Sequence, residues 1–303
     1  MSYFLSWHTG KEVVTPEVDI LIVLYNSAKF IRPLLKSLRR TTVSVTVYFL
    51  ENASTDGTAQ TLMAALTTFP LRTHVFRSLS NNGFARGVNL LARQGRGEFL
   101  FLLNPDTELE EGCLERLLDH ALRDPAIAMC EARQQPREHP KVYDPQTGAT
   151  TWCTGAAVLV RRKAFEELGG FDERIFFMYC EDVDLSWKFW LSGWKCIYVP
   201  DAVVRHYNQD IIPGKRRVSE NYFSFRNSLF LFYRFGSWHD RQLLYKFLLR
   251  RFIYGKYSLR SKLLYTFAFV GHIRYIPYLL RTRNLWCDRR HPWVRLEETS
   301  LAD

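Results

Sequence analysis

The stretch that most limits the fold is Glu98-Phe99-Leu100-Phe101-Leu102-Leu103, which stops abruptly at Asn104-Pro105-Asp106. An unbroken apolar run of this length, ended by a proline turn, has no solvent face to offer and reads as a strand covered on both sides. Val18-Asp19-Ile20-Leu21-Ile22-Val23-Leu24-Tyr25 repeats the pattern, and Ser44 to Leu50 and Val75-Phe76 add two further strand candidates. Segments with helical spacing lie between them. Phe30, Ile31, Leu34, Leu35 and Leu38 form the first, in which Pro33 requires the helix either to start near Arg32 or to kink. Leu62, Met63 and Leu66 form the second. Strands alternating with helices imply right-handed crossovers and an α/β fold with a mostly parallel sheet flanked by helices. Ligands of such sheets bind beyond the carboxyl ends of the strands. The polar clusters follow those ends: Tyr25-Asn26, Glu51 to Thr58, Asn81 to Asn89 and Asn104 to Asp106.

The second half is less regular. Glu131 to Thr151 reads as a loop, Gly155 to Val160 as a strand, and the segment carrying Phe165 and Leu168 as a helix. Gly169-Gly170-Phe171-Asp172-Glu173 and Tyr179-Cys180-Glu181-Asp182-Val183-Asp184-Leu185 precede a helix with Trp187, Phe189 and Trp190. Cys196 to Val199 reads as a strand, followed by Val203-Val204-Arg205-His206. Beyond about Val218 the pattern is helical, with basic and aromatic residues interleaved. The expected division is an N-terminal extension (1–17), a catalytic-size α/β domain (18–217) and a C-terminal helical segment (218–303).

Charge marks that last segment as different. Of the net +10 of the 303-residue chain, the stretch from Arg241 to Arg290 holds twelve Lys/Arg against one acidic residue, Asp288. The remainder, with 29 basic and 30 acidic residues, is close to neutral. Between Gln242 and Tyr254, the residues Leu243, Leu244, Phe247, Leu248 and Phe252 form an apolar stripe beside Lys246, Arg250 and Arg251. That pattern suits a helix packed on the main domain, or on another copy in a homo-oligomer, and equally suits a face resting on anionic membrane. No nucleic-acid motif accompanies the charge, so nucleic acid is not an expected partner. No run reaches the roughly 18–20 apolar residues of a membrane span. With no signal-peptide pattern and six scattered cysteines, the expected location is cytoplasmic, peripheral on the inner face of the cell membrane.

The candidate chemistry lies in carboxylates. Asp106, after a buried strand and a stiff turn, suits a divalent cation held against a diphosphate, although an isolated Asn-Pro-Asp is more simply a turn that caps a helix. His206 alone is more simply structural, but paired with Asp106 at the ends of strands in one sheet it makes an oxygen-plus-nitrogen site for Mn²⁺ or Mg²⁺. Glu181-Asp182-Val183-Asp184 crowds three carboxylates at the start of a helix, either as macrodipole partners or as a source of a general base. Asp56, before a helix, has a natural reading as its cap.

In their joint order these segments resemble the family-2 glycosyltransferases of the GT-A fold, in particular the rhamnosyltransferase-like branch. The segments that carry the resemblance are Ile22 to Asn26, Glu51 to Thr58, Asn82 to Asn89, Leu103 to Asp106, Gly169 to Glu173, Glu181 to Leu185, His206 and Arg226-Asn227. The resemblance implies a Rossmann-like sheet and inverting transfer of a sugar, rhamnose in this branch, from a nucleoside-diphosphate donor with uracil or thymine as its base. The acceptor would be a glycan or lipid-linked glycan, in polysaccharide synthesis. It gives donor contacts to Tyr25, Asn26, Glu51, Asn52, Asp56, Asn82, Gly83, Arg86 and Asn104, and the metal to Asp106 and His206. Asp182 becomes the catalytic base, and Trp152, Gly155, Glu181 and Asp184 the acceptor side. Two positions depart from the pattern: Glu51 stands where Asp is common, and Asn104-Pro105-Asp106 carries one carboxylate instead of two.

Two other classes compete. A sugar nucleotidyltransferase would share the parallel sheet, but the Gly-rich, Lys-containing phosphate loop expected near the first strand is missing. A silent nucleotide-sugar-binding protein would have no use for the carboxylates at Asp106 and Asp182.

Overall fold

The computed structural model describes residues 17–138, 142–207, 218–255, 258–283, 285–286 and 290–296. The first half follows the expected alternation. Strand β1 (Val18–Leu24) leads through a short 3-10 turn, Ala28–Phe30, into helix α1 (Ile31–Leu38). Pro33 sits in the first turn of α1, where its missing N–H has no intrahelical acceptor to lose, so the helix is not kinked but simply starts there. Then come β2 (Val45–Glu51), α2 (Thr58–Leu66), β3 (Arg72–Arg77), α3 (Gly83–Ala92) and β4 (Phe99–Leu103). β1 and β4 are buried along their whole length, as their apolar runs require. Asp19, the one charged residue inside β1, accepts from the Gly97 backbone N–H at 2.8 Å and from Arg162 at 2.5 Å.

The chain continues with β5 (Thr107–Leu109), α4 (Cys113–Arg123), β6 (Ile127–Gln135), β7 (Ala157–Arg161), α5 (Arg162–Glu167), α6 (Glu181–Leu191) and β8 (Lys195–His206). One eight-stranded sheet results, in the order β3-β2-β1-β4-β7-β6-β8-β5. Six of its strands point the same way; β7 and β5 are reversed.

Two expectations are corrected here. The loop expected from Glu131 is strand as far as Gln135, because the polar Glu131 and Gln134 are interior side chains with partners and not solvent-facing ones. The two short segments ending at Val199 and His206 form a single strand, β8. Its register against β6 shifts between Ala132 and Arg133, where Pro200 lacks the N–H to continue the ladder.

Helices α7 (Val218–Phe235), α8 (Trp238–Tyr254), α9 (Leu259–Ile273) and α10 (Ile276–Arg283) complete the described chain. α7 is no appendage. Its Phe230, Leu231 and Tyr233 join the same core as Leu185, Trp187 and Phe189 of α6. The expected stripe on α8 divides: Leu244 is buried and Leu248 packs beside it, whereas Leu243 and Phe247 face outward.

Candidate active site

Register decides which polar clusters meet. Leu24 of β1 pairs with Glu51 of β2, so Tyr25-Asn26 and Asn52-Ala53-Ser54 leave the sheet side by side. Asn26 Oδ1 accepts from the Thr55 N–H at 2.8 Å, and the Asn26 N–H donates to Ser54 Oγ at 3.1 Å. Asn26 and Ala53 both have positive φ, which folds these two strand ends into a cradle, with Tyr25 exposed at its edge. Buried Glu51 accepts from the Ser54 N–H at 2.6 Å, and its second oxygen lies 3.4 Å from Arg77 Nε. Asp56 is tied into the turn: it accepts from the Ala28 N–H, the Thr58 N–H and the Thr58 hydroxyl. Burial pushes its pKa up, but these donated bonds outweigh it and hold the carboxyl below its ordinary value.

Asn52 binds the next cluster. Its amide donates to Asn81 Oδ1 at 2.9 Å, and its oxygen accepts from the Asn82 N–H at 2.9 Å. Gly83 follows at φ +78, where a Cβ would come within 2.3 Å of the Phe177 carbonyl oxygen, so no larger residue fits. Arg86 is exposed on α3. Asn89, on the same helix, is structural: it accepts from the Phe171 N–H and donates to the Phe171 carbonyl and Glu173, fastening the Gly-Gly-Phe-Asp-Glu turn to α3.

The antiparallel pairing of β5 with β8 puts Thr107 opposite His206 and so brings Asp106 to the histidine. Asp106 Oδ1 lies 3.3 Å from His206 Nε2. The other ring nitrogen, Nδ1, is 2.8 Å from Gln134 Oε1, an acceptor, and therefore carries the proton. Nε2 is then an acceptor as well, buried and without a hydrogen-bond partner. A divalent cation between Nε2 and Asp106 Oδ1 would give that buried nitrogen a partner, so the residues present fit one. Among the described residues no group of three or more His, Cys, Asp or Glu side chains forms a fuller cluster. A diphosphate and water would have to complete the coordination.

A strap at Thr154-Gly155-Ala156 joins this pair to the acidic helix. The Asn104 N–H donates to the Ala156 carbonyl at 2.8 Å, and Gln134 Nε2 donates to Thr154 Oγ1 at 3.3 Å. The Gly155 N–H donates to Asp182 Oδ2 at 2.9 Å. Glu131, buried in β6, accepts from the Thr154 N–H at 3.0 Å and holds the strap from beneath. Trp152, half-buried, lies just before it. Glu131 and Gln134 escaped the sequence reading because their segment reads as loop, and Thr154 because it falls between that loop and the next strand; the apolar run Ile127-Ala128-Met129-Cys130 that leads into Glu131 was the available signal of a strand.

The three carboxylates of the acidic cluster part company. Asp182, half-buried, faces the strap. Glu181 is buried; burial first and then the charge of Asp182 raise its carboxyl well above the ordinary value, which favours its neutral form. Asp184 turns inward, with one oxygen 2.6 Å from Arg234 and the other 2.6 Å from Lys188. Its burial pushes the pKa up, but the two cations outweigh that and hold it ionised. Of the four residues expected on the acceptor side, Asp184 is the one the geometry directs elsewhere, because both its oxygens are bonded to cations in the core.

The turn that aims α6 is held by α7. Tyr179 and Cys180 have φ of +68 and +66, a left-handed conformation that costs about 1–3 kcal/mol per non-glycine residue. The Asn227 amide donates to the carbonyls of Met178 and Tyr179, both at 2.8 Å, and Arg226 in turn donates to Asn227 Oδ1 at 2.9 Å.

A buried acid with a raised pKa stabilises the fold at low pH, and that contribution is lost as pH rises through the folded-state value. Glu181→Gln is therefore expected to match the unmodified protein near pH 4. It should become progressively the more stable of the two as pH climbs above the ordinary glutamate value of 4.5. Thermal denaturation over a pH series checks this; parallel curves at all pH values would mean that Glu181 is ionised in the fold.

The sheet order, the cradle after β1 and β2, and the Asp106–His206 pair beside an acidic helix are those of an α/β protein whose polar groups converge at the strand ends, where such sheets bind ligands. The family model "Glycosyl transferase family 2" matches residues 19–183, and "Glycosyl transferase family group 2" matches 141–280. The chain belongs to glycosyltransferase family 2. It is 30% identical over 241 residues to the N-acetylglucosaminyl-diphospho-decaprenol L-rhamnosyltransferase of Mycobacterium tuberculosis, an alignment covering 64% of this chain and 77% of that one. Rhamnosyltransferase WbbL of Escherichia coli is 45% identical over a shorter segment of 56 residues, 18% of this chain and 21% of its own. Two solved structures share the fold at TM-score 0.56. The mannosyltransferase PcManGT of Pyrobaculum calidifontis, in complex with GDP-Man and Mn²⁺, is 18% identical, with 90% of this chain and 74% of that one covered. S. aureus TarS 1-349 with UDP-GlcNAc is 17% identical, with 88% and 83% covered. The fold is therefore GT-A-like and the protein a sugar-transferring enzyme, which sets aside the nucleotidyltransferase and silent-binder alternatives.

Proposed function

We propose that this chain is an inverting, metal-dependent rhamnosyltransferase that takes its sugar from a nucleoside-diphosphate donor and passes it to a lipid-linked glycan in cell-surface polysaccharide synthesis. The observation that carries the reading is the strap. It couples the Asp106–His206 pair and the Asp182 carboxylate through a short run of hydrogen bonds, as a reaction between a diphosphate-bound sugar and an incoming hydroxyl requires. The mycobacterial relative, an L-rhamnosyltransferase of N-acetylglucosaminyl-diphospho-decaprenol, supports the sugar and the acceptor class.

In this reading the nucleoside lies in the cradle formed by Tyr25, Asn26, Glu51, Asn52 and Asp56. The backbone of Asn82-Gly83 and the Arg86 side chain lie on the diphosphate side, beside Asn104. Asp106 and His206 would hold Mn²⁺ or Mg²⁺, which supplies Lewis-acid stabilisation of the departing diphosphate. Asp182 accepts the proton of the acceptor hydroxyl as its oxygen bonds to the anomeric carbon. The bond from that carbon to the diphosphate oxygen breaks on the opposite face, and the configuration inverts. The Gly155 N–H fixes one Asp182 oxygen and thereby aims the carboxylate. Neutral Glu181 adds no second charge beside the base, and Trp152 and Gly155 border the acceptor. The work takes place at the cytoplasmic face of the cell membrane, where lipid-linked acceptors are extended.

Calorimetry tests the metal assignment. Nucleoside diphosphate is expected to bind more tightly with Mn²⁺ than without it. Asp106→Asn should weaken the metal-dependent part by about tenfold, about 1.4 kcal/mol. Equal affinity with and without metal in the unmodified protein would refute the site.

A further inference from the structure

We propose that the outward faces of α8 and α9 form one docking surface for an anionic lipid bilayer, onto which the protein settles without crossing it. The proposal deepens the lipid-linked-acceptor reading but stands on the surface itself.

α9 carries apolar side chains on its outward side as well as its inward one. It packs inward on α7 through Ala268 and His272, with Gly271 allowing a close approach: a Cβ there would lie 2.5 Å from the Tyr222 hydroxyl. Its outward stripe is Leu259, Leu263, Phe267 and Val270, spaced four, four and three residues apart and each at least half exposed. Arg260 and Arg274, both exposed, bracket the stripe at the two ends of a helix about 22 Å long. α8 presents a companion face in which exposed Leu243 and Ile253 alternate with exposed Lys246 and Arg250. A monomer in water rarely shows a contiguous apolar stripe of this kind, so something covers it.

Charge chooses the occupant. The segment from Arg241 to Arg290 carries twelve Lys/Arg against a single Asp. A twofold contact between copies would press two such basic surfaces together, with Asp240 in the first turn of α8 as the one acidic side chain on the two helices to offset them. An anionic bilayer offers what the surface lacks: acyl chains for the apolar stripe and phosphate charge for the arginines. No described helix is long and apolar enough to span, so the helices would lie in the interface, with Phe267 and its neighbours reaching below the headgroups.

The test is flotation of the full chain with vesicles of phosphatidylcholine alone or with about 30% phosphatidylglycerol, at low and high salt. Binding to the anionic vesicles is expected to exceed binding to the neutral ones by roughly tenfold and to fall at high salt, where charge is screened. The double variant Phe267→Asp/Val270→Asp should lose binding to both kinds. Lys246→Glu/Arg250→Glu should lose chiefly the anionic preference. Because all four side chains are exposed, thermal midpoints should match the unmodified protein. Binding that ignores lipid charge, no binding to either vesicle, or unchanged binding by the Asp variant would overturn the proposal. So would a dimer in solution that the Asp variant dissociates without any vesicle binding. Nucleoside-diphosphate-sugar hydrolysis, measured in parallel, is expected in all of these variants. Its absence from the unmodified protein would count against the transferase reading while leaving the lipid result intact.

Discussion

Asp182→Asn is expected to fold normally, to bind donor nucleotide as before and to lose transfer on the order of a hundredfold or more in turnover, the usual scale for removing a general base. The amide keeps an oxygen for the Gly155 N–H, so the aim of the side chain survives, while the bond from the Val183 N–H is lost together with the proton affinity. The loss should appear in kcat and not in donor affinity, because the proton is taken only as the acceptor attacks. The neighbours are controls of different kinds. Glu181→Gln replaces a group that is already neutral and should do little to turnover near neutral pH. Asp184→Asn should act through folding, since its partners are Arg234 and Lys188. Single-turnover kinetics on the three variants decides the matter. Near-normal transfer by Asp182→Asn would move the base within the cluster, and near-normal transfer by all three would make the cluster structural.

Arg234→Met carries the largest expected stability loss, about 3–5 kcal/mol. The guanidinium is almost wholly buried and bridges two carboxylates, donating to Asp184 and Asp172 at 2.6 Å each. Removing it leaves both acids in the core, with Lys188 and Tyr278 as their remaining partners. Against the total of about 5–15 kcal/mol that holds most domains together, such a loss is a large fraction. Arg234→Lys should recover only part, because one ammonium cannot span two carboxylates as a fork does. The contribution of ionised Asp184 is fully present above the ordinary value of 3.8 and fades as pH falls through its lowered folded-state value, so the damage should be plain at pH 7. Urea unfolding measures it, and a loss below about 1 kcal/mol, the scale of an exposed pair, would mean that this network is solvated.

What could be read from the chain beforehand follows a physical divide. β1, β2 and β4 were legible because a strand buried on both faces is mostly apolar, and Phe99 to Leu103 has no other place to go, whereas the edge strand β3 showed only as Val75-Phe76. Asp106 and His206 could be paired from their positions at strand ends. The bonds that tie them to Asp182 could not, because Gln134, Glu131 and Thr154 are polar residues inside the fold. Their polarity signals surface until the partner across the gap is known. The inward ion pairs of Asp184 were hidden for the opposite reason. Asp184 sits two residues from Asp182 and looks equivalent, but a step of two along a helix turns the side chain by about 200° and so points it into the core, toward an arginine fifty residues later. Single α8 residues were likewise beyond reach, since the stripe from Leu243 to Leu248 contains both packed and outward positions.

The clasp of Asn227 on the carbonyls of Met178 and Tyr179 also bears on how this protein can be divided. By charge and composition the tail looks like one interchangeable part that begins near residue 218. By mechanics the seam runs through the later helices and not before them. α7 holds the turn that leads into α6, so it must travel with the sheet in any truncation or chimera, and α8 and α9 pack on it through their inner faces, which leaves their outward faces as the part that can be exchanged. A lineage could therefore retarget the enzyme to a different surface by rewriting the outward side chains of α8 and α9, while the inner faces and α10, whose Tyr278 bonds Asp172, stayed as they are.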